Sequence, residues 1–239
     1  NPHQTGVGQF TSGVLSALSK HTDHAYVLYY NGAKEVALPE SVQNIGEVVV
    51  SRYPNKLVTT LSPYVHIPKV DQIIKKQTGK QINLLFSPNA QYVAHSSHVP
   101  HVMTIHDLSF VHFPAYYTYK QRVWHHLQQL QKQVKDAAAI IVPSESTKTD
   151  VVHTFDVSSK KVHVVYPGLR DSTADVQVQQ IYDLPEQYFL FLGTVEPRKN
   201  LETLIEAYQI GNFYEQGIRL IIAGAPGWNN REVMEAIET

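Results

Sequence analysis

The sequence GTVEPRKN at Gly193–Asn200 decides the fold, because it joins an apolar run to an amphipathic helix. The run before it, Tyr188–Leu192, is typical of a fully buried parallel strand whose carboxyl end is marked by a glycine. After it, Asn200 is a favourable N-cap, and apolar residues recur at helical spacing in Leu201, Leu204, Ile205 and Tyr208. The pattern therefore predicts one strand–turn–helix unit of a doubly wound α/β sheet.

Two cations stand in the turn of this unit, just ahead of the helix. Arg198 and Lys199 lie at the carboxyl edge of the predicted sheet, where doubly wound folds bind their ligands. Together with the unpaired backbone N–H groups of a helix start, they predict a site for a dianion, most naturally a diphosphate. The alternative is an ordinary charged turn between a strand and a helix.

The composition of the 239-residue chain narrows the classes of protein. Hydrophobic residues make up 43%, which is enough for a packed core. Lys and Arg total 20 against 21 Asp and Glu, so the net charge gives no argument for binding nucleic acid. The absence of cysteine excludes disulfides, thiolate metal sites and a cysteine nucleophile, and slightly favours a cytoplasmic location. No apolar run reaches the roughly 20 residues of a membrane span.

Apolar, β-rich runs alternate with helical patterns along the whole chain. The predicted strands are residues 25–30, 47–50, 83–86, 101–105, 139–142, 161–166, 188–192 and 220–223. The predicted helices include residues 10–19, 117–135, a segment from Ser144 or Ser146 to Thr154, and a segment that begins at Leu201. This alternation predicts parallel α/β sheets with right-handed crossovers.

A polar segment, Gly168–Asp183, interrupts the alternation after the turn signal Tyr166-Pro167-Gly168. We expect it to cross between two α/β domains, with residues 1–168 in the first, 169–183 in the crossing and 184–239 in the start of the second. The chain begins at Asn1 without a methionine and reaches Thr239 within a helical pattern. We therefore also expect it to be a piece of a longer protein.

The stretch TGVGQF at Thr5–Phe10 leads directly into the first predicted helix. Glycine at positions 6 and 8 lets the backbone approach a ligand closely at a helix N-terminus, so Gly6 and Gly8 form a candidate phosphate or acceptor loop. By itself the pattern is weak, because two nearby glycines are also typical of a simple turn.

The stretch TIHDLSFVHFP at Thr104–Pro114 places His106 and Asp107 at the carboxyl end of a predicted strand. That is a favoured position for polar contacts to a ligand, and we predict catalytic or positioning roles for both residues. The alternative is a structural histidine, since the chain contains thirteen histidines. The other histidine pairs lack the helical i, i+4 spacing with a carboxylate that zinc sites use, so we expect no metal site.

The predicted helix 117–135 carries a separate signal. It contains no acidic residue, and the first acid after it is Asp136. Its four basic residues are Lys120, Arg122, Lys132 and Lys135. Tyrosines and Trp124 add amphipathic rings to the same segment. A basic amphipathic helix with interfacial aromatics indicates peripheral contact with anionic membrane, here the inner face of a cytoplasmic membrane. The alternative is the solvated face of an ordinary core helix.

Taken together, these stretches resemble the retaining glycosyltransferases of family 4, also called glycosyltransferase group 1. The matching pieces follow in family order: TGVGQF (5–10), TIHDLSFVHFP (104–114), IIVPSESTKTDVV (140–152), VYPGL (165–169), FLGTVEPRKNLETLIEAY (191–208) and LIIAGAPGW (220–228). The resemblance implies the GT-B fold, with two Rossmann-like domains. The chain then lacks the first strand of the N-terminal domain and most of the C-terminal one.

The resemblance also implies a function and a set of site residues. It implies transfer of a sugar from a nucleotide-diphosphate sugar to a glycan or lipid-linked acceptor, with retained configuration and without a cofactor or metal. Mannose is one candidate sugar of such a hexosyltransferase. In the family pattern Gly6, Gly8 and His106 face the acceptor and the donor sugar. The donor diphosphate is bound at Gly193, Thr194, Arg198 and Lys199.

The sequence departs from the family pattern in two ways. Thr194 stands where many members have a basic residue, and the acidic motif that contacts donor sugar and ribose lies beyond the end of the chain. We therefore expect residues 1–239 alone to be inactive. Two alternatives stay open: a sugar-nucleotide epimerase of the same architecture, and a non-catalytic protein that binds nucleotide sugars or acts as a scaffold.

Overall fold

The computed structural model describes residues 6–21, 23–32, 45–168, 184–228 and 231–238. Within these ranges every strand pairing is parallel, which confirms the predicted α/β class. The strands are β1 (Tyr26–Asn31), β2 (Gly46–Ser51), β3 (Leu85–Ser87), β4 (His101–Thr104), β5 (Ala139–Val142), β6 (Val162–Val164), β7 (Tyr188–Leu192) and β8 (Arg219–Ala223). Each of the eight predicted strands is present.

The α-helices of the described residues alternate with these strands. They are α1 (Gly6–Leu18), α2 (Asn55–Val65), α3 (Val70–Thr78), α4 (Ser109–His112), α5 (Tyr119–Leu127), α6 (Leu130–Asp136), α7 (Glu145–Phe155), α8 (Leu201–Ile210) and α9 (Arg231–Glu238). Short 3₁₀ turns cover Pro114–Tyr116, Ser159–Lys161 and Pro197–Lys199. In the part of the chain that the structure describes, no helix is both long and apolar enough to cross a membrane.

The chain divides into two compact units, Asn1–Arg170 and Asp171–Thr239. In the first unit β1 pairs with β2, and a four-stranded sheet has the order β3-β4-β5-β6. In the second unit β7 pairs with β8. The predicted crossing at residues 169–183 lies outside the described residues.

The main core of the first unit lies around β4 and β5. Met103, Ile140 and Val142 are fully buried in these strands, and side chains of α6 and α7 cover them, including Val134 and Val151. A second cluster joins β2 to α3. Because β3 and β4 run in register, the residues that follow both strands meet at one sheet edge. This edge carries Pro88 and His106.

The second unit packs one face of β7 against α8. Phe191 contacts a buried cluster of Val195, Leu201, Ile205 and Val233. On the opposite face Leu190 and Leu192 are 55% and 77% exposed. The prediction of a fully buried strand at Tyr188–Leu192 is therefore wrong, because the core cluster of this unit lies on only one of its faces.

Two predicted helix boundaries are also wrong. The first helix begins at Gly6 instead of Phe10, so the glycines lie in its first turn and not in a preceding loop. The predicted helix 117–135 is two helices, because Gln129 takes a left-handed conformation with φ of 47°. The buried Gln128 fixes the break: its side-chain oxygen accepts from Tyr92 N, and its carbonyl accepts from Gln133 Nε2 at 2.7 Å.

Candidate functional site

The turn after β7 is joined to the turn after β8 by backbone hydrogen bonds. Gly193 N donates to Ala223 O at 2.9 Å, and Val195 N donates to Ala225 O at 3.0 Å. Gly227 N returns a bond to Val195 O at 3.0 Å. The parallel pairing of the two strands thus continues past their carboxyl ends, and it fixes the backbone of the predicted diphosphate turn.

The close approach of these two turns requires glycine. A Cβ atom at position 224 would lie 1.8 Å from Gly193 O, and one at position 227 would lie 2.6 Å from Val195 O. Gly193 itself has a φ of 156°, which side chains rarely adopt. Because backbone atoms cannot yield as a flexible side chain can, the shape of this turn is set by the protein before any ligand arrives.

A buried carboxylate orients the first predicted cation. Arg198 donates from Nε and Nη2 to Glu196 Oε1 at 3.0 and 2.7 Å. Glu196 is 4% exposed, whereas the arginine side chain keeps about a third of its surface exposed. The pair fixes the plane of the guanidinium and neutralises one charge, so the turn holds one net positive charge instead of the two that the sequence suggests.

Glu196 is therefore a functional candidate that the sequence reasoning missed. An acid two residues before the arginine of a predicted anion site was visible in the sequence EPRK. Its burial could not be read from the pattern, because acidic residues in turns are ordinarily exposed.

The second predicted cation, Lys199, is exposed and ends the 3₁₀ turn Pro197–Lys199. Its Cε atom lies 3.9 Å from the position that a Cβ atom would occupy at Gly193. The lysine stem therefore passes close to Gly193 at the start of the turn. The structure thus brings Lys199 to Gly193, and Arg198 lies in the same turn, held by Glu196.

Asn200 does not cap α8 in the predicted way. It is left-handed with φ of 51°, and its side chain makes no capping bond to a backbone N–H. Its Oδ1 accepts instead from Thr203 Oγ1 at 2.9 Å. The reason is the 3₁₀ turn immediately before it, since Asn200 N donates to Pro197 O and closes that turn.

In the first unit, His106 is half-buried at the carboxyl edge of the sheet. Its Nε2 lies 3.0 Å from Pro88 O. Because a carbonyl oxygen only accepts, Nε2 must carry the proton, and Nδ1 of the neutral ring is then an acceptor. The imidazole is thus oriented for a hydrogen bond with a hydroxyl group.

The start of α1 lies beside this histidine. The Phe10 ring meets the His106 ring edge to face, with centroids 4.8 Å apart. Gly6 and Gly8 belong to the turn of α1 that leads to Phe10, so the helix start that contains the predicted glycines is anchored beside the histidine through Phe10. A Cβ atom at Gly6 would meet nothing within 4 Å. The protein itself therefore does not require glycine at that position.

Asp107 is exposed and forms the turn that starts α4. Its Oδ1 accepts from Ser109 N at 2.9 Å and from Ser109 Oγ. The same hydroxyl lies 2.7 Å from the Tyr117 hydroxyl. These are the bonds of an aspartate that shapes a turn. The catalytic role of Asp107 stays a prediction.

Burial lowers the pKa of two other histidines of the first unit, His101 and His125. His101 is 4% exposed, with Nε2 2.9 Å from Ser87 Oγ. Burial, with a smaller contribution from the neighbouring His95, lowers the pKa of His101 to about 4. Burial also lowers the pKa of His125, whose ring stacks on Phe110 at 4.0 Å, although Asp107 opposes this. Among the residues described, no cluster of three or more potential ligands could hold a metal ion.

Comparison with curated proteins gives relatives that are named as mannosyltransferases. The O-antigen chain mannosyltransferase B of Escherichia coli is 23% identical over 250 residues, covering 98% of this chain and 64% of its own length. The O-antigen chain mannosyltransferase RfbU of Salmonella typhimurium is 26% identical over 104 residues, covering 44% of this chain and 27% of its own. The serotype-specific mannosyltransferase WbdA of Escherichia coli is 33% identical over 82 residues, covering 31% and 10%.

The chain spans less than two thirds of the length of each of these relatives. A family model, Glycosyltransferase Family 4, matches residues 5–172, which is more than half of the chain. The match contains the glycine start of α1 and His106, and it agrees with the parallel α/β architecture that the GT-B fold requires. The chain therefore belongs to Glycosyltransferase Family 4.

Proposed function

We propose that the intact protein transfers a sugar from a nucleotide-diphosphate sugar to a glycan or lipid-linked acceptor with retention of configuration. The observation that carries this proposal is the preformed turn Gly193–Lys199. Its backbone is hydrogen-bonded to the turn after β8. The Arg198 guanidinium is held by the buried carboxylate of Glu196, and the Lys199 side chain lies close to Gly193. A diphosphate leaving group fits all three features.

The electrostatics of sugar transfer favour such a turn. Breaking the bond between the anomeric carbon and oxygen builds negative charge on the departing diphosphate and positive charge on the sugar. Lys199 would stabilise that negative charge directly, and Arg198 would donate hydrogen bonds from a fixed direction. Because these groups are oriented before the reaction, little reorganisation opposes the transition state. A donor of this kind is typically worth about 2.7–4 kcal/mol of barrier.

His106 has a positioning role in this proposal. Its Nε2 proton is held by Pro88 O, so Nδ1 of the neutral ring would accept a hydrogen bond from a sugar or acceptor hydroxyl. The start of α1, which contains Gly6 and Gly8, lies beside this ring and would approach the same ligand. We assign no general-base role to the histidine, because the retaining reaction does not need one at this position.

The identity of the sugar is a finer proposal, and it rests on the relatives' names. Three mannosyltransferases share sequence with this chain, so we propose mannose as the transferred sugar. The test is incubation of the intact protein with a panel of labelled nucleotide-diphosphate hexoses and candidate acceptors. Mannose transfer supports this part of the proposal. Exclusive transfer of another hexose contradicts mannose as the sugar but still supports the proposed sugar transfer.

The same assay separates the remaining alternatives. The anomeric configuration of the product, read by NMR coupling constants, must match that of the donor if the reaction is retaining. Epimerised sugar nucleotide formed without an acceptor would identify an epimerase. Tight binding of the nucleotide sugar without turnover by any acceptor would indicate a non-catalytic binding protein.

A further inference from the structure

The helix α2 turns an apolar stripe outward. Leu57, Leu61, Tyr64 and Val65 recur at i, i+4, i+7 and i+8, and each is more than half exposed; Ile67, just beyond the helix, is 60% exposed. The buried residues of the helix are Ser62 and Pro63. This is the reverse of an ordinary surface helix, which places its apolar stripe against the core.

Both ends of α2 are held by hydrogen bonds, so the stripe is presented on a fixed support. At the start, Asn31 Nδ2 bonds to Asn55 Oδ1 and to Tyr53 O. At the end, His66 bonds to the Tyr92 hydroxyl through Nδ1 and accepts from Lys132 Nζ through Nε2 at 2.7 Å. Lys132 thereby links α2 to α6 and contributes to the structure as well as to the charge.

A second amphipathic element, α5, packs beside α2. Tyr119 is 75% exposed, and Val123 and Trp124 are exposed on the same helix. Arg122 stacks over the Tyr119 ring at 5.9 Å. An open cleft of about 930 Å³ is lined by Tyr64 of α2, by the cations Arg122, Lys132 and Lys135, and by the carboxylate of Asp136. Apolar and cationic side chains therefore share one surface.

The two sequence segments that form this surface are basic, and Asp136, which lines the cleft, directly follows the second of them. Residues 48–70, which contain α2, and residues 108–135, which contain α5, carry no Asp or Glu. They carry seven cations: Arg52, Lys56, Lys69, Lys120, Arg122, Lys132 and Lys135. The whole chain has a net charge of −1, so the remainder is strongly acidic.

We propose that α2 and α5 together form a docking surface for an anionic lipid bilayer. The exposed leucines and aromatic rings would enter the headgroup boundary, and the lysines and arginines would pair with lipid phosphates. This inference replaces the helix 117–135 of the sequence prediction by a two-helix surface whose larger apolar part is α2. It does not depend on the proposed sugar transfer, because binding to lipid is measured without substrate.

The test is co-sedimentation of the purified chain with vesicles of phosphatidylglycerol and phosphatidylcholine, compared with phosphatidylcholine alone. We expect binding to the anionic vesicles that weakens as salt rises. The double variant Lys120→Gln, Arg122→Gln should weaken the partition coefficient roughly 30-fold, at about 1 kcal/mol per cation. The double variant Leu57→Gln, Leu61→Gln should weaken it by on the order of tenfold at every salt concentration.

Two matched controls separate this surface from general adsorption. Lys75→Gln, Lys76→Gln removes two exposed cations of α3, and Ile210→Gln removes a side chain that is 77% exposed in the second unit. Both should bind as the wild type does, and circular dichroism should show that every variant is folded. Three results would overturn the proposal: no binding to anionic vesicles, equal losses in test and control variants, or self-association that the Leu57→Gln, Leu61→Gln pair abolishes.

Discussion

The two glycine-containing candidate sites of this chain are built differently. In the second unit, glycines 224 and 227 are required by the protein, since a Cβ atom there would collide with backbone oxygens. In the first unit, Gly6 lies at the start of α1 with open space around it. The same residue type therefore reports a packing constraint in one region and none in the other.

The polar side chains show a parallel difference. Arg198 is oriented by the buried Glu196, which fixes the plane of its guanidinium. In the first unit His106 is oriented by a carbonyl oxygen, whereas Asp107 is used in a turn. The turn Gly193–Lys199 is thus preorganised by contacts within its own unit. Substitutions there should separate the effect of charge on turnover from the effect of packing on stability.

The largest effect is expected from removal of the exposed cation. Lys199→Ala in the intact protein should lower turnover by roughly two to three powers of ten, because Lys199 is the one positive charge of the turn that Glu196 does not offset. The melting temperature should stay unchanged, since the side chain lies outside the core. Steady-state kinetics and thermal unfolding measure the two quantities.

A matched control is Lys160→Ala, which removes an exposed lysine from another 3₁₀ turn, Ser159–Lys161. Its turnover should equal that of the wild type. If Lys199→Ala lowers stability together with activity, the lysine is structural, and the preformed turn loses its role in leaving-group stabilisation.

The next effect concerns packing in the second unit. Gly224→Ala should lower the free energy of unfolding of this unit by about 2–4 kcal/mol, because the new methyl group must displace the backbone at Gly193. The chain has one tryptophan in each unit, Trp124 and Trp228. In a Trp124→Phe background, urea unfolding followed by fluorescence reports on the second unit alone. If the variant has the same free energy of unfolding as its parent, the two turns can move apart without loss of stability, and the close approach is not needed.

Acid should affect the two units unequally. All thirteen histidines lie in the first unit. The folded state lowers the pKa of His101 to about 4, while the unfolded chain keeps an ordinary value near 6.5. Between these values the unfolded chain binds more protons, so the stability of the first unit falls as pH drops from about 6.5 to 4.

The loss from His101 amounts to at most about 3 kcal/mol when the fall is complete. Tryptophan fluorescence of the Trp228→Phe variant follows the first unit through this range. His101→Gln keeps a hydrogen-bonding group near Ser87 and should flatten the slope. An unchanged slope in that variant would assign the acid sensitivity to other groups, such as His125, whose pKa burial also lowers.

The sequence predicted the strands better than the helices, for a physical reason. Buried strands are short apolar runs, and β4 and β5 carry that signal in Met103, Ile140 and Val142. The helix α2 was not predicted although its apolar residues recur at helical spacing, and Pro63, which lies within it, is the residue that argues against a helix there. The break at Gln128–Gln129 has no glycine or proline to mark it, and it depends on tertiary bonds from Tyr92 and Gln133.

The candidate site divides in the same way. The cations Arg198 and Lys199 were predictable, because a strand–turn–helix pattern fixes their place at the sheet edge. The buried partner Glu196 was not, since its burial arises from the packing of two turns distant in sequence. Local pattern thus identifies which residues reach a ligand, and tertiary packing decides how they are held.

The smallest expected effect tests why Gly6 is a glycine. Gly6→Ala should leave the first unit as stable as before or raise its stability by up to about 1 kcal/mol, because alanine favours the helix and meets no atom. Gly13→Ala is the matched control, since Gly13 lies in the same helix with equally open surroundings. If a ligand approaches the start of α1 beside His106, only Gly6→Ala should lower kcat/KM of the intact protein, with Gly13→Ala unaffected. Equal kcat/KM in both variants would contradict a ligand-binding role of Gly6. A loss of stability in Gly6→Ala alone would mean that the fold of the protein, and not a ligand, requires glycine there.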